Sequence, residues 1–538
     1  MSQDRHDVII IGAGHNGLTC AAYLAGAGLR VLVLEKQAVV GGTALTEEFH
    51  PGFRNSVAAY TVSLLHARVI KDLQLDAYGL RIVERPVANF WPVGARRYLL
   101  TPHDLAGRQR AVATFSSADA ERLPAYEAAL HRAATLLREV ALERPPNAGG
   151  GLLELIAGGK LARRLLALSA DDKRLLVDLF TRSAADFLAQ WFEDETVKGA
   201  MAFDGIVGAF LPPSTPGTAY ALLHHAFGEV NGKTGVWGHA IGGMGAITQA
   251  MVGAAEARGV HVRTNAPIAS LIAENGVVTG VRLESGEEIR AQAVAASVPP
   301  KLLFRDLMPA GSIDPQLHRR FVGITSGSGV FRMNVALAEL PSFTCRPGSH
   351  QQDHHGAGII IGPSLSYLEQ AYQDACALGY SRKPVIEMLI PSTLDPTLAP
   401  PGRHVASLFV QYAAPQLPDG QSWDHAKDGF VRVIIDIIND HAPNFRAGIL
   451  ATQVLTPLDL EQRFSLPDGD IFHGRLSLGQ LHSARPVTGF ANYRMPLRGL
   501  YLCGAGAHPG GGVSGLPGRN AAIEIIRDFK GKVRMPRA

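Results

Sequence analysis

Two apolar runs separated by a glycine-rich stretch open the chain. Asp7 to Ile11 and Arg30 to Leu34 are rich in valine, isoleucine and leucine, a composition typical of parallel strands buried on both faces. Between them, Leu18 to Ala27 predicts a small-residue helix that breaks around Gly26 and Gly28. The start of the chain is therefore predicted to form a strand, a glycine turn, a helix and a second strand.

Farther along, the period of the apolar residues changes from that of helices to that of strands. Residues 76–230 have a mostly helical pattern, clearest from Ala125 to Leu142. Three β-rich runs separated by turn residues then predict a small meander: residues 259–265, 276–283 and 288–298. Mixed strands and helices are predicted beyond them to about residue 480.

The chain ends with the element types with which it begins. Residues 499–503 predict a strand, residues 504–518 a glycine-rich loop, and residues 519–529 a helix. No internal repeat is present. Similar elements at both ends indicate one discontinuous α/β domain with a second domain inserted into it.

The turn after the first predicted strand carries the spacing Gly12-x-Gly14-x-x-Gly17. In nucleotide-binding units the first glycine permits a tight turn, the second lets a pyrophosphate approach the backbone, and the third lets helix and strand pack closely. Free N–H groups at the helix start would bind the pyrophosphate, and Glu35 would accept a hydrogen bond from a ribose hydroxyl. This register predicts a dinucleotide, but it does not distinguish NAD from FAD.

Two further glycine-rich stretches favour a flavin dinucleotide. Gly41-Gly42 follows the second strand closely and could run along the far side of the pyrophosphate. Gly504 to Val513 forms a dense glycine loop ahead of the last helix. The start of that helix could stabilise negative charge on the N1/C2 edge of a reduced flavin.

Composition and charge exclude several other classes. The 538 residues carry 51 Lys and Arg against 48 Asp and Glu, a net charge of +3, which argues against a nucleic-acid partner. The four cysteines form no C-x-x-C pair, so neither a disulfide framework nor a cysteine zinc site is expected. Without a signal-peptide pattern or a long uncharged apolar run, a cytoplasmic protein is expected, with no transmembrane segment.

Residues 8–18, Glu35, Gly41-Gly42 and residues 500–513 together resemble the phytoene-dehydrogenase-like flavoproteins. This group includes the bacterial carotenoid desaturases and lies within the wider amine-oxidase-like superfamily. The resemblance covers nearly the whole chain. It is supported by Leu222-Leu-His-His225, Trp237-Gly238, Gly242 to Ala246, Pro391 to Gly402 and Ile471-Phe-His473.

The resemblance implies non-covalent FAD bound to an α/β fold of two domains. A discontinuous Rossmann-type FAD-binding domain would comprise residues 1–75, 233–300 and 490–538. A mixed α+β substrate domain, partly helical, would comprise residues 76–232 and 301–489.

The same resemblance carries over the cofactor contacts motif by motif. The ADP half of FAD would be held by Gly12, Gly14, Gly17, Glu35, Gly41 and Gly42, with the adenine against the backbone near Ile268. The flavin would be lined by Gly504, Ala505, Gly506, Gly511, Gly512 and Val513. Desaturases often carry a non-glycine small residue where Gly511 stands, so the resemblance leaves the substrate class open.

His508 is the best single candidate for a catalytic residue, because it lies inside the loop predicted to face the flavin. Its imidazole could transfer a proton, or His508 could simply shape the loop with Pro509. No metal site is predicted. The stretch Asp353-His354-His355 lacks a further ligand at suitable spacing and indicates a polar loop.

The expected partner is a lipophilic small molecule, and a peripheral membrane contact is a second expectation. Leu152 to Leu168 alternates leucines with Lys160, Arg163 and Arg164. This pattern is typical of an ordinary amphipathic surface helix, and it could also rest on an anionic membrane. Eukaryotic relatives in the group suggest an association with mitochondria. The sequence does not define an oligomeric state.

Three functions follow from these observations and stay open. The first is an FAD-dependent oxidoreductase that dehydrogenates, saturates or isomerises a lipophilic C–C framework. The second is an amine or amino-acid oxidase, which would need an aromatic cage or a carboxylate clamp. The third is a flavin-stabilised interaction protein with little turnover, since a fold does not fix a function.

Overall fold

The computed structural model describes residues 6–147 and 150–529. Its strands are β1 (His6–Ile11), β2 (Val31–Leu34), β3 (Thr46–His50), β4 (Phe53–Ser56), β5 (Ile82–Glu84), β6 (Asn89–Val93), β7 (Arg97–Thr101), β8 (Glu229–Val230), β9 (Lys233–Thr234), β10 (Gly238–Ala240), β11 (His261–Arg263), β12 (Ile268–Glu274), β13 (Val277–Leu283), β14 (Glu288–Ala296), β15 (Val330–Leu337), β16 (Gly358–Ile361), β17 (Tyr380–Leu389), β18 (His404–Ala413), β19 (Ile449–Leu455) and β20 (Leu500–Leu502). Its helices are α1 (His15–Gly26), α2 (Ala67–Leu73), α3 (Leu105–Ala113), α4 (Ser117–Ala141), α5 (Leu152–Leu166), α6 (Ala170–Thr181), α7 (Ala184–Ala189), α8 (Glu195–Ala202), α9 (Leu223–Phe227), α10 (Gly245–Glu256), α11 (Pro300–Leu302), α12 (Pro315–Val322), α13 (Leu365–Leu378), α14 (Trp423–His441), α15 (Pro457–Phe464) and α16 (Leu516–Phe529).

The first of two seven-stranded sheets brings the two ends of the chain together. Its order is β11-β2-β1-β14-β13-β12, and β20 pairs in parallel with the second half of β14. β1 lies in parallel register between β2 and β14. Helices α1, α10 and α16 pack on this sheet in one apolar core. The α/β class predicted from the sequence is confirmed, while the predicted domain limits stay a prediction.

All three runs of the predicted meander form strands, but only two of them are neighbours in it. β13 and β14 are antiparallel neighbours as expected. The run 259–265 instead supplies β11, which pairs in parallel with β2. The antiparallel partner of β13 is β12, which the apolar pattern did not predict. Asn275 and Gly276, both with positive φ angles, form the tight turn that joins β12 to β13.

The second sheet faces the first across a cavity and has the order β19-β15-β18-β17-β16-β6-β7. One face packs on α14 through aromatic and β-branched residues. The other face contributes to a core shared with α4, α7, α8 and α13. The prediction of a helical stretch from residue 76 to residue 230 is wrong for 82–101, because β5, β6 and β7 form there and β6 and β7 complete this sheet.

Two helix boundaries differ from the prediction for physical reasons. α1 begins at His15, ahead of the apolar pattern, because the first turn is packed through its glycine rather than through large side chains. α16 begins at Leu516, and Pro517 fits its first turn because that position needs no intrahelical N–H donor. Within residues 6–147 and 150–529, no helix is both long and apolar enough to cross a membrane.

Candidate functional site

A cavity of about 470 Å³ extends from the first glycine turn to the second sheet. At one end its wall is formed by the β1–α1 turn and by Glu35. At the other end it reaches side chains of β6, β17 and β18. The cavity therefore joins the fingerprint predicted to bind a dinucleotide with the region predicted to bind substrate.

The three glycines of the fingerprint have three different environments. Gly12 has φ +93° and its N–H donates to the carbonyl of Leu34 at 2.8 Å. A Cβ on Gly17 would stand 2.1 Å from the carbonyl oxygen of Gly12, so that position closes the helix on the strand. A Cβ on Gly14 would meet no atom within 4 Å, and Gly14 lines the cavity. Gly17 thus serves the protein fold and Gly14 keeps space free for a ligand, whereas Gly12 both forms the turn and lines the cavity.

Glu35 is buried at the cavity wall and its carboxylate ties two backbone segments together. One oxygen accepts the N–H of Ala13 at 2.8 Å and the other accepts the N–H of Gln37 at 2.9 Å. Each carboxylate oxygen has a second lone pair. Glu35 can therefore accept a ribose hydroxyl while it holds the glycine turn in place.

The second glycine pair lies directly against the fingerprint. The N–H of Gly41 donates to the carbonyl of Ala13 at 3.0 Å. Gly42 lines the cavity, and a Cβ there would lie 3.4 Å from the Cα of Gly14. Ile268 also lines the cavity, at the end where the adenine was predicted.

The C-terminal glycine loop divides into residues that face the cavity and residues that pack against protein. Ala505, Gly512 and Val513 line the cavity. The other three predicted flavin contacts are closely packed against protein. A Cβ on Gly504 would clash with Ser297, one on Gly506 with Pro300, and one on Gly511 with Phe472. For those three, the structure indicates a role in loop packing.

A buried arginine that no sequence motif predicted holds this loop in place. Arg485 is 1% exposed. Its guanidinium donates to the carbonyls of Ala505 at 2.7 Å, Phe472 at 2.7 Å, Gln480 at 3.1 Å and Gly474 at 3.2 Å. No local motif around Arg485 indicates these contacts, because its partners are backbone carbonyls in irregular segments 5 to 20 residues away, whose path the sequence does not define.

His508 belongs to the C-terminal glycine loop, but its side chain packs against α4. Its Nε2 lies 3.1 Å from the carbonyl oxygen of Val140, and its ring meets that of His482 edge to face. Burial, followed by the neighbouring His482, lowers the pKa of His508 to about 3, so the ring is neutral. His508 is not one of the described residues that line the cavity. This geometry favours the loop-shaping role, and the catalytic role stays a prediction.

We expect His508→Ala to retain flavin and to leave the rate of flavin reduction within about threefold of wild type, because removing a true proton-transfer group costs about 10²–10⁴-fold. Stopped-flow reduction measured from about pH 6 to about pH 9 checks this. A loss of two orders of magnitude with flavin still bound would restore His508 as a catalytic residue. His404→Ala, a half-buried histidine on β18 outside the cavity wall, is the matched control.

His473 is the histidine that the structure places at the cavity instead. It lines the wall, and its buried Nδ1 has no partner among the described residues. Burial, then Arg485 and His15, lower its pKa to about 3. An unpartnered buried nitrogen on a residue that lines a cavity is a group that a ligand can satisfy. The sequence signal was the stretch Ile471-Phe-His473, which entered only as part of the resemblance.

The site fits a flavin dinucleotide on three independent features. The N-terminus of α1 has no side-chain cap, so its N–H groups are available to a pyrophosphate. The space in front of Gly14 is open. His473, whose buried Nδ1 has no partner among the described residues, lines the same cavity as Gly512 and Val513. In the described part of the chain, no cluster of His, Cys, Asp and Glu could hold a metal ion.

The far end of the cavity combines aromatic walls with buried polar groups. Phe203, Trp237 and Phe409 form apolar surface. Tyr60 donates a short hydrogen bond to Glu387, and its ring stacks on Phe409 with centroids 5.0 Å apart. The sequence predicted neither Tyr60 nor Glu387, since they are more than 300 residues apart and neither belongs to a motif.

Two buried arginines compensate the charge of Glu387. The guanidinium of Arg332 lies 4.5 Å from the Tyr60 ring centroid, and Arg85 donates to the Thr61 hydroxyl at 2.6 Å. Burial raises the pKa of Glu387, while Arg85, Tyr60 and Arg332 oppose that rise. Burial and the charge of Glu387 raise the pKa of Tyr60 well above its usual range, so Tyr60 remains a hydrogen-bond donor.

The histidine pair predicted to lie in a polar loop is instead buried. Asp353–Gly356 forms a 3-10 turn, and both His354 and His355 lie inside. The His354 ring packs on Phe90, and His355 lies 3.0 Å from the carbonyl oxygen of Pro341 through Nε2. The prediction failed because the sequence cannot show that β6 covers this turn.

Comparison with known proteins defines the family. Residues 17–323 match the model of the flavin containing amine oxidoreductases. The chain belongs to this family. The family match confirms the predicted flavin-dependent oxidoreductase and the relation to the wider amine-oxidase-like superfamily.

Within the family, relatives match the chain over almost its full length. Pyridine nucleotide-disulfide oxidoreductase domain-containing protein 2 of Rattus norvegicus is 39% identical, over 98% of this chain and 94% of that protein. One of the limonene dehydrogenase subunits of Castellaniella defragrans is 25% identical, over 97% and 95%. A lycopene-forming phytoene desaturase of Paracoccus sp. is 26% identical, over 96% and 96%.

The fold is also that of solved structures. Putrescine oxidase bound to putrescine superposes with a TM-score of 0.60 at 15% identity, covering 98% of this chain and 99% of that one. At this identity the likeness concerns the fold alone.

Proposed function

We propose that the protein is an FAD-dependent oxidoreductase that adds, removes or relocates hydrogen on the carbon framework of a lipophilic substrate. The observation that carries the proposal is the cavity shared by the dinucleotide fingerprint and an aromatic wall at its far end. Bound FAD would accept or donate a hydride. The protein supplies binding, orientation and a cavity from which water is excluded.

The chain's own residues divide this work. The α1 N-terminus and Gly14 would receive the pyrophosphate, and Glu35 would bind the ribose. Ala505, Gly512 and Val513 would lie along the flavin. Phe203, Trp237 and Phe409 would hold an apolar substrate, since aromatic side chains give large contact areas at fixed geometry.

The names of two relatives support a lipophilic substrate. Limonene dehydrogenase and phytoene desaturase are named for hydrocarbon substrates, and both match nearly the whole chain. The alternative is an amine or amino-acid oxidase, favoured by the acidic side chains of Asp204 and Glu387 on the cavity wall. A flavin-stabilised interaction protein is the third candidate, and it predicts a flavin that no donor reduces.

Anaerobic reduction of the bound flavin discriminates these functions. The full-length protein, loaded with FAD, is mixed with separate panels of polyenes, unsaturated lipids and amines, and the flavin absorbance is followed. We expect bleaching by a member of the lipophilic panels. Fast bleaching by amines alone would favour the oxidase, and no bleaching by any panel would favour the interaction protein.

NADH and NADPH are expected to be poor direct reductants of the flavin. Only Gly12 to Gly17 carries the Gly-x-Gly-x-x-Gly spacing between two parallel strands, and FAD would occupy it; the same spacing at residues 510–515 lies in the loop predicted to face the flavin. The chain has no C-x-x-C pair, although the rat relative's name mentions both pyridine nucleotide and disulfide. Anaerobic mixing of each nucleotide with the FAD-loaded protein checks this. Stoichiometric bleaching within seconds would contradict it.

We also propose a peripheral contact with anionic membranes through α5. Leu152 and Leu166 are 72% and 73% exposed, and Leu155 and Ile156 are exposed as well. Basic side chains follow on the same helix, an arrangement typical of helices that lie on anionic lipid. Co-sedimentation with phosphatidylserine vesicles is expected for wild type and not for Leu155→Ser/Ile156→Ser. Equal sedimentation of both would exclude α5 as the contact.

A further inference from the structure

An acidic side chain at the far end of the cavity has no neutralising partner in the part of the chain that the structure describes. Asp204 follows α8 in the 3-10 turn Phe203–Ile206, and it lines the cavity. Burial and the negative charge of Glu387 raise the pKa of its carboxyl group. No described residue offsets that rise with a hydrogen bond or a positive charge. A carboxyl group in such a place either stays protonated or requires a ligand to share its proton.

The Tyr60–Glu387 pair lies on the same cavity and is organised differently. Tyr60 donates to the Glu387 carboxylate, and Arg85 and Arg332 lie close enough to act on its charge. A Cβ on Gly358 would stand 2.5 Å from Asn89 Oδ1, 3.0 Å from Arg85 Nη1 and 3.2 Å from Glu387 Oε1. Only a glycine there allows these polar groups to converge. Glu387 is therefore held in place by protein contacts, whereas Asp204 is not.

We propose that Asp204 exchanges a proton with the substrate, and that the Tyr60–Glu387 pair is a positioning pair that sets the pH at which it does so. The proposal rests on the proposed function and names its proton-transfer group. When hydrogen is removed, one C–H bond breaks and its electron pair leaves as hydride to the flavin. The bond to the neighbouring hydrogen breaks, its proton goes to the Asp204 carboxylate, and a double bond forms. Addition of hydrogen reverses both transfers.

The groups around Asp204 raise its pKa. Burial, and after it the negative charge of Glu387, raise its pKa to about 8. Tyr126 of α4 also faces it, and burial together with the charge of Asp204 raises the pKa of that phenol far above its usual value. Asp204 is thus a neutral acid near pH 7 and a base above its pKa. Helix α9 packs on the same turn, and the side chains of His224 and His225 lie outside the described part of the structure.

Four variants separate proton transfer from a purely structural role. Asp204→Asn should keep FAD bound and slow flavin reduction by about 10²–10⁴-fold, the usual loss for a proton-transfer group. Asp204→Glu should restore part of that rate. Glu387→Gln should move the pH midpoint of reduction to lower pH, by about one unit, because it removes the negative charge that raises the pKa of Asp204. Asp440→Asn, an exposed position at the end of α14, is the control.

A readout independent of substrate tests the protonation state itself. Infrared difference spectra of the FAD-loaded protein, titrated from about pH 6 to about pH 10, should contain a protonated-carboxyl band that is absent in Asp204→Asn and kept in Asp440→Asn. The band midpoint should shift to lower pH in Glu387→Gln. A double His224→Gln/His225→Gln variant should leave that midpoint in place.

Failure of this inference is distinguishable from failure of the proposed function. If no donor reduces the wild type, the proposed function fails, and the infrared titration alone decides on Asp204. If donors reduce the wild type and Asp204→Asn equally well across the pH range, the inference is overturned. If Asp204→Asn does not fold, an unshifted midpoint in Glu387→Gln overturns it instead.

Discussion

Replacing Gly14 by valine is expected to yield a folded protein that no longer binds its flavin. Gly14 has φ −75°, which any residue adopts, and its Cβ would point into open cavity rather than into protein. The added side chain would occupy the space into which the pyrophosphate must come. We expect flavin affinity to fall by at least about 100-fold, ~2.7 kcal/mol, with an unchanged circular dichroism spectrum and little change in the stability of the apoprotein.

Gly17→Ala is the matched contrast within the same motif. Its Cβ would stand 2.1 Å from the Gly12 carbonyl oxygen, so the helix must move away from the strand. The expected result is a loss of about 2–3 kcal/mol in the free energy of unfolding of the apoprotein, the upper part of the usual range for overpacking. Denaturant titration and flavin binding are measured on both variants. Wild-type affinity in Gly14→Val would remove the pyrophosphate from this turn.

Replacing Arg485 by methionine is expected to destabilise the protein and to release the flavin together. The guanidinium is fully buried and donates to carbonyls of the segment 472–480 and to that of Ala505, a residue of the C-terminal loop on the cavity wall. Each buried carbonyl left without a donor costs about 1–3 kcal/mol, so a total loss of ~3 kcal/mol or more is expected. Urea unfolding followed by circular dichroism and by flavin fluorescence measures both effects.

Arg305→Met is the control for this substitution, because the Arg305 side chain is 44% exposed and pairs with Asp306, its neighbour in the chain. It should change stability by less than about 0.5 kcal/mol. Arg485→Lys keeps the charge but not the planar set of donors, and it should recover only part of the loss. Arg485→Met with wild-type stability and wild-type flavin affinity would show that the loop does not depend on this residue.

The sequence predicts the two ends of the chain well because their signals are local. β1, α1 and β2 follow from apolar runs and glycine spacing, and the register of Glu35 follows from the strand that it ends. The middle is predicted poorly because its signals depend on distant partners. β6 and β7 are strands only because β16 supplies an edge more than 250 residues later.

The same distinction applies to the site. Gly12, Gly14 and Glu35 are visible as a motif, and the structure brings them together at one end of the cavity. Asp204, Tyr60 and Glu387 carry no pattern, since each comes from a different element and acquires its properties from burial. For His508 the sequence leaves a proton-transfer role and a loop-shaping role open, and its place against the carbonyl of Val140 becomes visible only in the structure.

Identification of the cofactor tests the central claim most directly. The full-length protein is reconstituted with FAD and desalted, and it is then denatured with acid so that the released material can be identified by chromatography and mass spectrometry. We predict a yellow protein that releases one intact FAD per chain and leaves a colourless polypeptide. A protein that remains colourless after reconstitution, or a flavin that stays attached to the denatured chain, would contradict the claim.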